Sequence, residues 1–74
     1  MKLNLIAMWR GSGTGGSPAH YATDRGTFVI QGYQLDAEAT SQLTGCAPHE
    51  TAIEVPGDMY DQIGEHWARQ RGLI

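Results

Sequence analysis

The chain has 74 residues, a formal net charge of −3 and a single cysteine, and 41% of its residues are hydrophobic. This length allows one domain, residues 1–74, whose thin core buries only ~60% of the unfolded surface. Five scattered cations form no basic stripe for phosphates, no run approaches the ~20 apolar residues of a membrane span, and a lone cysteine fits a reducing compartment. We therefore expect a cytoplasmic protein that contacts neither nucleic acid nor membrane.

The first predicted element is a strand over residues 1–9, because Leu3, Leu5 and Ala7 alternate with Asn4, Ile6 and Met8. A Gly-rich loop over residues 11–18 follows, flexible by composition. Its Gly11 to Gly16 run has the G-x-G-x-x-G spacing of a dinucleotide fingerprint, but that motif must open a helix, and here Pro18 and a hairpin follow. We expect no cofactor.

A β-hairpin is predicted around Thr23-Asp24-Arg25-Gly26, where Gly26 supplies the positive φ of the turn. Its short arm is His20–Ala22, and its long arm is Thr27–Leu35. The long arm is apolar on both faces, which favours an interior strand over an edge strand. Gly32 inside that arm indicates a bulge or the close approach of another backbone.

A short helix is predicted after the hairpin, from the N-cap Asp36 to Gly45 at its C-terminal end. Residues 50–55 then alternate as a half-exposed strand. Pro56 opens a longer helix that stops at Gly72. The order β-β-β-α-β-α predicts an α+β fold: a small, mainly antiparallel sheet of three to four strands, with one short and one longer C-terminal helix.

The last helix has a predicted buried stripe of Met59, Ile63 and Trp67, widened by Tyr60. Glu65 and Arg69 are spaced as an i, i+4 ion pair. Most aromatic side chains of the chain are expected in the core. Any two left exposed would form an interaction patch, because aromatic residues are enriched in interface hot spots.

Cys46-Ala-Pro-His49 has the C-x-x-H spacing of half a zinc site, and His20 and His66 are further ligands in principle. A connector with an incidental thiol and a surface histidine is the favoured interpretation, because the sequence has no second closely spaced pair. A small metal- or ligand-binding domain that uses Cys46 and His49 is the alternative. Nothing specifies a catalytic geometry around Cys46, so we do not expect an enzyme.

Four blocks of the sequence resemble a group of short uncharacterised actinobacterial proteins, over roughly residues 8–60. The blocks are Trp9-Arg-Gly11, Tyr21-Ala-Thr-Asp-Arg-Gly-Thr27, Val29-Ile-Gln-Gly32 and Glu50-Thr-Ala-Ile-Glu-Val-Pro56. Such proteins are often encoded beside helix-turn-helix regulators, so the resemblance implies an accessory or regulatory module and carries over no known activity. Two departures are Ser17-Pro18, where relatives often have Cys-Pro, and a longer, more polar last helix.

Arg10, Asp24, Arg25, Glu50 and Glu54 are the candidate binding residues, and all five match positions of that group's pattern. A turn needs neither charge of Asp24 and Arg25, and charged residues on loops more often serve recognition than packing. Glu50 and Glu54 share a face of the predicted strand, where they would meet a partner's cations. We expect a non-enzymatic interaction module, a partner of a helix-turn-helix regulator, in which a homodimer could supply missing burial.

Overall fold

The computed structural model of the chain describes residues 1–12 and 18–74, so most of the predicted Gly-rich loop lies outside the described residues. Its elements, in chain order, are β1 (Leu3–Met8), a 3-10 turn (Arg10–Ser12), β2 (Ala19–Thr23), β3 (Phe28–Gln31), β4 (Tyr33–Gln34), α1 (Ala37–Ser41), β5 (Ile53–Glu54) and α2 (Gly57–Gln70). The α+β class and the order β-β-β-α-β-α are confirmed, with the long hairpin arm divided into β3 and β4.

A three-stranded antiparallel sheet of order β1-β2-β3 forms the larger part of the fold. The predicted hairpin is confirmed: β2 pairs with β3, and Gly26 at its tip has a φ of 73°. The predicted interior position of the long arm is wrong. The short arm β2 is the central strand, because β1 pairs along its other edge, and β3 lies at the edge of the sheet.

β1 contains a β-bulge at Ile6, the residue that the register skips. Leu5 pairs with Tyr21, whereas Ala7 pairs with His20, the adjacent residue of β2. Adjacent residues of a strand point to opposite faces, so Leu5 and Ala7 lie on opposite faces of the sheet. The predicted alternation of β1 is therefore wrong beyond Leu5.

Gly32 separates β3 from β4 at a point where another segment of the chain passes close by. A Cβ atom at Gly32 would lie 2.6 Å from the backbone oxygen of Glu54 and 2.8 Å from Cγ1 of Val55. This confirms the predicted close approach. The neighbouring segment is β5, which pairs antiparallel with β4 and places Tyr33 opposite Glu54 in a second, two-stranded sheet.

α1 begins at the predicted N-cap, since Oδ1 of Asp36 accepts a hydrogen bond from the backbone N–H of Ala39 at 2.8 Å. The helix is shorter than predicted and ends at Ser41 with Gln42 as its C-cap. Gly45 has a positive φ of 67° but stands three residues beyond that cap. Gly45 therefore takes part in the turn that follows α1 and does not cap the end of the helix.

α2 follows Pro56, its N-cap, and Gly72 just beyond it has a φ of 70°. Met59 is fully buried, whereas Trp67 is 51% exposed and Tyr60 is 75% exposed. The predicted stripe therefore holds at its N-terminal end, and the predicted widening by Tyr60 is wrong. The described part of the chain contains no helix that is both long and apolar enough to cross a bilayer.

The core of the described residues is thin. The apolar side chains that are buried are those of Ala19, Met59 and Pro18. The radius of gyration is 13.8 Å, against about 11 Å for a compact domain of this length. Much of the apolar surface of the sheet therefore stays open to solvent.

Polar contacts fix the helix α2 to the end of β1. The side-chain Nε2 of Gln62 donates to the carbonyl of Met8 at 2.8 Å, and its Oε1 accepts from the backbone N–H of Arg10 at 3.0 Å. The indole Nε1 of Trp9 donates to Oδ1 of Asp58 at 2.9 Å. These bonds hold the N-terminal half of α2 near the sheet, while its C-terminal half leaves a gap.

Candidate functional site: a groove between sheet and helix

A groove open to solvent runs between the three-stranded sheet and α2, and we call it the sheet–helix groove. Its floor is one face of the sheet, because the pleat places His20 and Ala22 of β2 on the same side, opposite Ile30 and Phe28 of β3. Its wall is the C-terminal half of α2. The groove therefore lies over the central strand β2, with the sheet as its floor and α2 along one side.

The wider part of the groove is apolar and encloses about 670 Å³. Phe28 and Ile30 from the sheet and Ile63 and Trp67 from the helix line it. Phe28 is 68% exposed and Trp67 is 51% exposed, so both aromatic side chains are largely open to solvent. Large apolar side chains that stay exposed together are typical of a binding surface.

The narrower part of the groove is polar and encloses about 320 Å³. Arg10, Gln62, Glu65 and Arg69 line it, and His20 is shared with the apolar part. The Nη2 atom of Arg10 donates to Oε2 of Glu65 at 2.7 Å. The predicted Glu65–Arg69 pair is thus replaced by a pair between Glu65 and Arg10, which leaves Arg69 outside the ion pairs found among the described residues.

Two histidines meet where the apolar and polar parts of the groove join. The ring of His20 and the ring of His66 stand edge to face, with 5.7 Å between their centroids. His20 is 3% exposed, and its Nε2 atom is buried without a hydrogen-bond partner among the described residues. Burial lowers the pKa of His20, and the neighbouring positive charge of His66 lowers that pKa further.

The charge around the groove is opposite in sign to the charge of the whole chain. Three of the five cationic side chains line it, Arg10, Arg69 and Arg71, against one of the eight acidic side chains, Glu65. The guanidinium carbon of Arg71 lies 4.4 Å from the ring centroid of Trp67. The apolar part therefore has a cation at its rim that is stacked on an exposed indole.

The predicted charged turn lies at the opposite end of the sheet from Arg10. Asp24 and Arg25 are exposed at the hairpin tip. The backbone N–H of Lys2 donates to Oδ1 of Asp24 at 3.1 Å, and the guanidinium of Arg25 lies 3.8 Å from the sulfur of Met1. Arg10 follows the other end of β1 and contributes to the groove. The structure thus brings Asp24 and Arg25 together but not with Arg10.

Glu50 and Glu54 do not form a shared row on one strand. β5 covers only Ile53–Glu54, so Glu54 lies in the second sheet and Glu50 lies before it. Oε1 of Glu50 accepts from the backbone N–H of Ala47 at 3.0 Å and closes the local turn. The predicted alternating face over residues 50–55 is wrong because only two residues of that segment pair with β4.

Cys46 is exposed, and its Sγ lies 3.6 Å from the backbone oxygen of Glu50. No three His, Cys, Asp or Glu side chains of residues 1–12 and 18–74 are grouped closely enough to hold a metal ion. Metal binding by Cys46 and His49 stays a prediction, and zinc in stoichiometric amount in the purified protein would support it.

Of the residues that build the groove, the sequence predicts Arg10 as a binding residue and does not predict the apolar lining. The exposure of Phe28 and Ile30 has only an indirect sign in the sequence, namely that the long arm is apolar on both faces. Trp67 was placed in the core, although the expectation that exposed aromatic residues mark an interaction patch applies to it. His20 and His66 had no shared signal, because forty-six positions of the chain separate them and only the packing of α2 on β2 joins them.

Comparison of the chain with family models, with curated proteins and with solved structures finds no match. The functional conclusion therefore rests on the geometry and charge of the groove.

Proposed function

We propose that the protein is a non-enzymatic interaction module, and that the sheet–helix groove binds an amphipathic segment of a partner protein that carries carboxylates. The observation that supports this most is the combination of an open apolar groove and a cationic rim on a chain of net negative charge. An apolar groove of this kind accepts the hydrophobic face of a helix, with anchoring side chains at i, i+3, i+4 and i+7.

The apolar part supplies the binding energy. Phe28 comes from the sheet and Trp67 from the helix, so a docked segment would lie between the two aromatic side chains. Aromatic rings supply large contact area with few rotatable bonds, which is why they dominate binding energy at interfaces. A thin core leaves this surface available without further rearrangement of the fold.

The cationic rim selects the partner. Arg69 and Arg71 have no carboxylate partner among the described residues, since the ion pair found there joins Arg10 to Glu65. Carboxylates on the docked segment would meet these two guanidinium groups, whereas lysines would be repelled. The same charges are too few for a nucleic-acid surface, which needs a continuous basic stripe.

A helix-turn-helix regulator is the first candidate partner, because the proteins that the turn block resembles are often encoded beside such regulators. The module would then act in the cytoplasm, where the free thiol of Cys46 stays reduced. The Asp24–Arg25 turn is a second contact with such a regulator. A homodimer stays a separate prediction, which light scattering on the purified protein checks.

Isothermal titration with three synthetic peptides tests the groove. The peptides share one helical pattern of leucines and carry glutamate, glutamine or lysine at the remaining positions. We expect the glutamate peptide to bind and the lysine peptide not to bind. In an NMR spectrum, the indole N–H resonance of Trp67 should shift when the glutamate peptide is added. Equal binding of the glutamate and lysine peptides, or no binding of any peptide, would contradict the proposal.

Paired variants separate the groove from general loss of surface. Trp67→Ala and Phe28→Ala should each weaken binding of the glutamate peptide at least tenfold, the loss expected for an interface hot spot. Tyr60→Ala is the matched control, because Tyr60 is an exposed aromatic residue of the same helix that does not line the groove. The same variants are titrated with the purified neighbouring regulator, and its failure to bind the wild-type protein would remove it as the partner.

A further inference from the structure

The His20–His66 pair is the one place in the described groove where a buried polar atom lacks a partner. His20 projects from the central strand at the point where the apolar and polar parts of the groove meet. Its Nε2 atom has no hydrogen bond, although the side chain is almost completely buried. A buried polar group without a partner is costly. The atom itself is closed to solvent, so a docked molecule would act on it through the half-buried ring of His66 beside it.

The charged and titratable groups around this pair favour an anionic partner. No ionisable side chain besides His20 comes from the sheet strands that line the groove. The carboxylate of Glu65 is already bonded to Arg10 at 2.7 Å. The surrounding groups are contributed by the 3-10 turn, by α2 and by the C-cap of α2: Arg10, Glu65, His66, Arg69 and Arg71.

We propose that the segment docked in the groove presents one carboxylate to the His20–His66 pair, and that the pair receives it together with a proton taken from solvent. An imidazolium N–H and a carboxylate oxygen form a charge-assisted hydrogen bond, which is stronger than a bond between neutral groups. Arg69, which lines the polar part of the groove together with both histidines, adds a second positive charge. This inference rests on the proposed docking and names the chemistry of one contact within it.

A proton is taken up on binding because His20 is neutral in the free protein. Burial and the charge of His66 keep the pKa of His20 below its usual value, so His20 is neutral at neutral pH. A carboxylate beside the ring favours the charged form and raises the pKa again. By linkage, binding of the carboxylate and binding of the proton strengthen each other.

Titration of the glutamate and glutamine peptides in two buffers of different ionisation enthalpy tests the inference. We expect the glutamate peptide to bind about tenfold more tightly than the glutamine peptide. We also expect uptake of up to one proton per glutamate peptide, and affinity that rises between about pH 8 and pH 6, above the range where glutamate itself is protonated. The glutamine peptide should show neither effect.

Histidine variants assign the proton to the pair. His20→Leu should abolish most of the proton uptake, because His20 is the member of the pair that gains the proton, while a preference for the glutamate peptide should remain through the arginines of the groove. His49→Gln is the control, since His49 is an exposed histidine of a turn outside the groove. His20→Leu removes a buried nitrogen that has no partner, so the variant is expected to fold, and an amide NMR spectrum checks this.

Wild-type protein alone already decides the inference. Equal affinity for the glutamate and glutamine peptides, or no proton uptake, would overturn the carboxylate contact while leaving groove docking in place. Unchanged proton uptake in His20→Leu would overturn the assignment to the pair. Failure of every peptide to bind would overturn the docking and this contact together.

Discussion

The side chain of Gln62 on α2 is bonded to the last residue of β1, with its Nε2 donating to the carbonyl of Met8 at 2.8 Å. The other end of the same amide accepts from the backbone N–H of Arg10 at 3.0 Å. The amide of Gln62 thus pairs with both the carbonyl of Met8 and the N–H of Arg10, two residues further along the chain. The side chain of Gln62 is 8% exposed. No other residue type offers both functions at this length and without charge.

Gln62→Met should lower the free energy of unfolding by about 1–3 kcal/mol, because it keeps the volume and leaves two backbone groups without partners. Urea denaturation followed by circular dichroism measures the change. Gln70→Met is the matched control on the exposed end of α2 and should change stability by less than about 0.5 kcal/mol. Equal effects of the two variants would contradict the role of the amide.

The stability of the fold should fall as the pH drops below about 6.5, the ordinary pKa of histidine. His20 binds its proton more weakly in the folded protein than in the unfolded chain, because its pKa is lowered by burial and by the charge of His66. The unfolded chain therefore takes up more protons as the pH falls, and unfolding becomes easier. Thermal melts between about pH 7.5 and pH 5.5 measure this above the range of most carboxylates.

His20→Leu should flatten that pH dependence and leave the protein at least as stable at neutral pH, since it removes a buried nitrogen that has no partner. His49→Gln should leave the slope unchanged. A wild-type melting temperature that stays constant over the range, or a slope retained in His20→Leu, would show that another group is responsible.

Two glycine substitutions should change stability in opposite directions. A Cβ at Gly32 would lie 2.6 Å from the backbone oxygen of Glu54, so Gly32→Ala must displace β5 and should destabilise the protein by roughly 1–3 kcal/mol. Gly64 lies inside α2 with nothing within 4 Å of an added Cβ. Gly64→Ala should stabilise by about 1 kcal/mol through helix propensity. A melting temperature of Gly32→Ala at or above the wild-type value would refute the close approach at Gly32.

The hairpin tip should be separable from the groove. Asp24→Asn and Arg25→Gln lie at exposed positions whose contacts reach only the first residues of the chain, so we expect changes in stability within about 0.5 kcal/mol. Peptide binding in the groove should be unaffected by both. Loss of binding to the regulator in either variant would support the turn as a second contact, and retention in both would exclude it.

The local elements of the fold were predictable because each has its own signal in the sequence. Asp36 caps α1, Gly26 takes the positive φ of the hairpin, and Gly32 marks the close approach of β5, all as expected. These features depend on a few neighbouring residues and on backbone geometry. They do not depend on which elements later pack together.

The order of the strands and the groove were not predictable in this way. The long arm is apolar on both faces, and this pattern fits an interior strand. It fits equally well an edge strand that has one face lining an open groove. Whether α2 covers Phe28 or leaves it exposed depends on where Gln62 and Trp9 hold the helix. Such contacts span about fifty positions of the chain, and no local pattern encodes them.

The central position of β2 has a consequence for shortened forms of the chain. β1 covers one edge of β2 from Leu3 to Met8, and no residue of β2 is charged. A chain that began at Met8 would lack nearly all of β1. The backbone N–H and C=O groups along that edge of β2 would then have no strand to pair with. Such a form would be prone to recruit strands from other molecules, and its tendency to self-associate into fibres would reveal how much the first seven residues shield.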